Sequence, residues 1–166
     1  MKLLRAIPIT DAVLTASTIA ASDYAAYNSG ATYAAGDTVS VNVTGIHKNY
    51  LSLQNANTGH DPTLAANSSW WKDVGATNRW SMFDQSTGSQ SSAADTFTQT
   101  FAPNAVAGTM ALLNVAAANF RVIVTDPVDG VVADRTVYTA LSPVYGDSLL
   151  SKTDYDVESS EGVVYW

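Results

Sequence analysis

Apolar and polar side chains alternate strictly through Thr38-Val39-Ser40-Val41-Asn42-Val43. Successive residues of a strand face opposite sides of a sheet, so this pattern predicts a strand with one buried face. Thr44-Gly45 is a turn signal, and Ile46 to Leu53 reads as the returning strand of a hairpin. Asn55 to Ser69 is polar, contains Gly59 and Pro62, and is expected to be a loop. Trp70 to Val74 predicts a short third strand, in which one of the two adjacent tryptophans must be less buried than the other. Gly75 to Asp84 then closes a module that begins near residue 25.

On either side of this module the pattern is looser. Leu3 to Ile9 could add one extended strand, and Thr10-Asp11 could cap a short helix through Ala12 to Ala20. Gln85 to Ala94 holds only small and polar residues, as a linker or exposed loop would. Beyond it, strands are expected over Asp95 to Phe101, Thr109 to Val115, Asn119 to Thr125 and Val131 to Leu141. Asp126-Pro127-Val128-Asp129-Gly130 is the turn between the last two. The expected organisation is an arm over 1–24, a small β module over 25–84, a linker over 85–94 and a β-sandwich-like domain over 95–166. Four or five short strands are too few for an independent sandwich, which uses about seven. Either the arm or a neighbouring subunit must complete the sheet. The apolar run Gly162-Val163-Val164-Tyr165-Trp166 makes Trp166 a candidate assembly contact.

Composition narrows the function. Charged residues make up 14% of the 166 residues and glutamate occurs only at Glu158 and Glu161, so a helical bundle is disfavoured and the fold class is all-β. The net charge is -7 and the eight basic residues are scattered singly, which argues against a nucleic-acid partner. Without cysteine there is no disulfide framework, thiolate metal site or cysteine nucleophile. Pro8 and Asp11 interrupt the only stretch that resembles a signal peptide, and no segment is apolar enough for membrane insertion.

Candidate chemistry is sparse. Tyr27, Tyr33, Tyr50, Trp70, Trp71 and Trp80 crowd the module, and flat aromatic faces are what stack on sugar rings. A module of this size also needs large aromatics for its core. Tyr33, Tyr50 and Trp80 are assigned to packing, whereas Tyr27, Trp70 and Trp71 are kept as glycan-binding candidates. His60-Asp61 and the turn aspartates Asp126 and Asp129 lack the spacing of a metal site, so no metal or other cofactor is expected. Neither histidine lies in a nucleophile motif, and no catalytic residue is assigned.

Two resemblances bear on this pattern. Tyr27, Tyr33, Gly36-Asp37 and Val39, followed by Tyr50, Pro62 and Trp70-Trp71, resemble the chitin- and cellulose-binding modules of carbohydrate-binding families five and twelve. Those modules usually open with Trp where this chain has Tyr27, and they bind polysaccharide through exposed aromatics. Ile9-Thr10-Asp11-Ala12 ahead of the module, and Thr77-Asn78-Arg79-Trp80-Ser81-Met82-Phe83-Asp84 at its end, resemble a group of tailed-bacteriophage virion proteins. That resemblance spans most of residues 6–138. It implies a non-enzymatic structural component of a tail, baseplate or fibre, located in the tail region of the virion. Its partners would be other virion proteins, further copies of itself around the tail axis and, as the alternative function, host surface glycans. Asn78, Arg79, Trp80 and Asp84 become candidate inter-domain or assembly residues, with Arg79 expected to pair with Asp84 or Asp73.

Overall fold

The structure is a computed structural model that describes residues 7–84, 86, 88–103, 110, 112 and 115–138. The chain is all-β: its described elements are nine strands and two single-turn 3-10 segments, Ala65–Asn67 and Ser81–Phe83. In chain order the strands are β1 (Leu14–Ser17), β2 (Thr32–Tyr33), β3 (Thr38–Val43), β4 (Ile46–Ser52), β5 (Asn57–Thr58), β6 (Trp71–Ala76), β7 (Gln99–Phe101), β8 (Asn119–Asp126) and β9 (Gly130–Tyr138). All strand pairs are antiparallel, in the orders β1-β7, β2-β5, β3-β4-β6 and β8-β9. The described residues fall into two compact units, 7–103 and 110–138.

The three-stranded sheet organises the first unit. β3 and β4 pair from Thr38↔Leu51 to Val43↔Ile46, forming the hairpin expected around Thr44-Gly45. Thr44 and Gly45 both have positive φ, +52° and +84°, the conformation that lets a two-residue turn follow the twist of its strands. β6 pairs with β4 through Ser52↔Trp71 and Tyr50↔Asp73, with a bulge at Asn49/Tyr50.

Each face of this sheet has its own cover. Val39, Tyr50 and Trp71 are buried on one face, with Tyr27, Tyr33, Val41, Val43 and Trp70 packed against them. The opposite face presents Ser40, Asn42, His47 and Asn49, and the arm closes over it. There Asn49 Nδ2 donates to Asp23, the Tyr24 amide donates to Ser40 Oγ, and Thr77 Oγ1 donates to the Ala21 carbonyl. Buried Ser40 and Asn49 are also hydrogen-bonded to each other at 2.7 Å, so this polar layer is satisfied where water is excluded.

Three expectations are corrected. The helix proposed for Ala12 to Ala20 is absent. A turn places the Val13 and Leu14 amides on the Thr10 carbonyl, and the chain then runs as β1 against β7. Thr15, Thr18 and Ile19 are β-branched and suit a pleated strand better than a helix. The stretch 85–94 is not a free linker in its described part: Met82 N donates to Ser91 Oγ, and Asn78 exchanges hydrogen bonds with the Ser92 backbone. Nor does the second unit begin at 95, because β7 belongs with β1 in the first. Leu3 to Ala6, most of the strand expected at Thr109 to Val115, and residues 139–166 with Trp166 lie outside the described residues.

The second unit is represented by the β8-β9 hairpin. Asp126 starts its turn by accepting the Val128 and Asp129 amides, and Gly130 takes the positive φ of +76° that ends it. Cross-strand pairing puts Phe120, Val122, Val124, Ala133 and Val137 on one face with Arg135. The other face carries Arg121, Ile123, Asp134, Thr136 and Tyr138, with Arg121 and Asp134 ion-paired.

Candidate functional site

The aromatic candidates divide by strand geometry. Trp71 points from β6 into the core, is 3% exposed and donates its indole N–H to the His60 carbonyl at 2.7 Å. Its ring meets Tyr27 and Tyr33 edge-on, with centroids 5.9 and 5.2 Å apart. Trp71 is therefore a core residue and offers no face to a sugar, which corrects its assignment as a glycan contact. Trp70, one residue earlier, is half-buried and stacks on His60 with ring centroids 3.9 Å apart. The expected inequality of the adjacent tryptophans is thus present. Tyr27 is half-buried and stacked on Tyr33 at 5.9 Å, and its hydroxyl is enclosed without a hydrogen-bond partner. Burial pushes the Tyr27 phenol up, and the nearby Asp61 carboxylate adds to the shift.

A cleft of about 250 Å³ opens on this same face between β4, β6 and the loop that follows Asp61. Tyr50, Pro62, Leu64 and Trp71 form its apolar lining, while Thr63, Ser68 and Asp73 supply polar atoms. Asp73 Oδ2 accepts Lys48 Nζ at 2.7 Å and Asp73 Oδ1 accepts the Gly75 amide at 2.9 Å. The hydrogen bond to Asp73 raises the Lys48 pKa. The Tyr50 phenol is raised first by burial and then by Asp73.

Of the inter-domain candidates, Arg79 and Asn78 bind the arm. Arg79 does not pair with Asp84 or Asp73; its Nε donates to the Ile19 carbonyl at 2.6 Å. Asp73 holds Lys48, and Asp84 accepts the Ser86 amide and the Ser89 hydroxyl. The Asn78 amide donates to both oxygens of Asp23. Trp80 is 1% exposed, lies parallel to His47 at 6.0 Å and meets Phe83 edge-on. Trp80 is thus a core residue, consistent with its assignment to packing and not with an assembly contact.

Two aspartates have central places here: Asp11, which the sequence suggests only as a cap and motif position, and Asp23, which it does not single out. Asp11 accepts from Asn42 Nδ2 at 2.7 Å and lies 3.2 Å from His47 Nε2, while Ser22 Oγ is 3.5 Å from His47 Nδ1. These residues are separated by 25 to 36 positions, so no local spacing signals them. Among the described residues no group of three or more His, Cys, Asp or Glu could hold a metal ion, and no helix is long and apolar enough to cross a membrane. No protein family, curated protein or solved structure matches this chain.

Proposed function

We propose that the chain is a non-enzymatic structural component of a bacteriophage tail, baseplate or fibre apparatus, acting through protein–protein contacts in the virion. The observation that carries the assembly part of this reading is the β8-β9 hairpin. None of its residues is buried; Val128 is 89% exposed at the tip, and Val131 and Val132 are exposed along β9. Among the described residues the hairpin pairs with no third strand, and a two-stranded hairpin with exposed apolar side chains is stabilised by adding further strands. Other virion proteins, or further copies of this chain around the tail axis, would supply them. The virion context itself rests on the sequence resemblance at 6–138.

Sedimentation of the full chain at micromolar concentration tests the self-association. A discrete oligomer supports the reading. A compact monomer with one cooperative melt overturns it. The alternative, a glycan-binding adhesin, is left with Tyr27 and Trp70, whose rings are already stacked on Tyr33 and His60. Glycan-array binding that Trp70→Ala abolishes would favour it instead.

A further inference from the structure

In the cleft beside Asp73 an apolar floor meets a carboxylate. We propose that this cleft is a socket for a single basic side chain, arginine or lysine, presented by a partner protein. This deepens the assembly reading and rests on it.

Size limits the occupant first. Small-molecule sites usually measure about 300–1,000 Å³. At about 250 Å³ the cleft suits one side chain and not a chain segment. Its composition then suits an amphipathic side chain. Leu64 and Pro62, with Tyr50 and Trp71 beneath, face the methylene stem, and Asp73 receives the charged head. Asp73 already accepts Lys48 and the Gly75 amide, one on each oxygen, and an ionised carboxylate has about four lone-pair sites. A second cation therefore does not have to displace Lys48. Thr63 and Ser68 offer hydroxyl oxygens to the remaining N–H groups.

Charge sets the sign of the occupant. Asp73 and Asp61 both act on the Tyr50 phenol in the direction expected of a negative field, and only Lys48 opposes them. The whole chain carries -7, so basic groups are favoured on approach as well. A sugar fits less well, because Trp71 at the floor is only 3% exposed and leaves almost no ring surface to stack on. Anchor side chains that fill small pockets dominate protein interfaces, and arginine is over-represented among them.

The experiment is an amide and indole chemical-shift titration of the full chain with N-acetyl-arginine methylamide. N-acetyl-norleucine methylamide and a panel of neutral monosaccharides run in parallel. The expected result is saturable shifts at Thr63, Leu64 and the Trp71 indole with the arginine probe only. Asp73→Asn should weaken these at least threefold, as should Leu64→Ser, a change at a 55% exposed position that leaves the fold intact. Equal shifts with norleucine, saturable shifts with a monosaccharide, or no saturable shift would each overturn the socket. Sedimentation separates this from the assembly reading. A monomer that binds the arginine probe keeps the socket and sinks self-association, whereas an oligomer that binds none does the reverse.

Discussion

Arg79 and Trp80 are neighbours in sequence and stabilise the first unit by different physics. Arg79 makes a charge-assisted hydrogen bond to the Ile19 carbonyl from a partly buried position. Such bonds contribute about 1.5–3 kcal/mol, and removal also strands the carbonyl. Arg79→Ala is expected to cost about 1–2 kcal/mol in a urea melt and to speed amide exchange in β1. An unchanged melt would show that the bond is solvent-equivalent. Trp80 acts by volume. Trp80→Ala should cost about 3–5 kcal/mol, the range for deleting a large buried aromatic. A cost below about 1 kcal/mol would mean that the surrounding side chains collapse into the space.

At the scale of elements, both well-formed hairpins depend on their turns. Thr44 is β-branched, yet it holds φ +52° in the two-residue turn between β3 and β4. Asn accepts that conformation far more readily, so Thr44→Asn should stabilise by about 0.5–1 kcal/mol. Thermal melts check this, and a loss of stability would mean that the threonine hydroxyl bond to Val43 O outweighs the strain. In the β8-β9 turn, the Val128 and Asp129 amides hold the Asp126 carboxyl below the usual carboxylate range. A depressed folded pKa contributes stability above the unfolded value of about 3.9 that is lost as pH falls through the folded value. Acid titration should therefore loosen this turn, seen as faster exchange of the Val128 amide. Asp126→Ala should remove that pH dependence.

For the whole molecule, net charge and apolar surface pull in opposite directions. Copies carrying -7 repel one another, whereas on the proposed assembly reading the exposed apolar residues of β8-β9 would draw them together. Raising ionic strength from about 0.01 M to 0.15 M shortens the screening length from about 30 Å to 8 Å. Self-association should then strengthen with salt in sedimentation experiments. If it weakens, ion pairs and not apolar strands make the interface.

Periodicity, turn residues and composition by themselves determined the all-β class, the β3-β4 hairpin, the turn at Thr44-Gly45 and the turn at Asp126–Gly130. These are short-range: alternation decides which side chains share a face, and turn residues decide where the chain reverses. Alternation also required Trp70 and Trp71 to differ in burial, though not which of them would be inside. Tertiary structure decided that, by closing the loop after Asn55 over the face of the sheet that carries Trp71. It also decided the fate of the arm. The β-branched residues between Val13 and Ile19 favour an extended chain but name no partner, and pairing with β7, more than 80 residues away, made Leu14–Ser17 a strand. Arg79 could have met any carboxylate nearby, and it meets the Ile19 carbonyl because the folded arm brings that group beside it. Contacts between distant segments depend on which surfaces remain to be covered once the local elements exist, and no spacing along the chain encodes that.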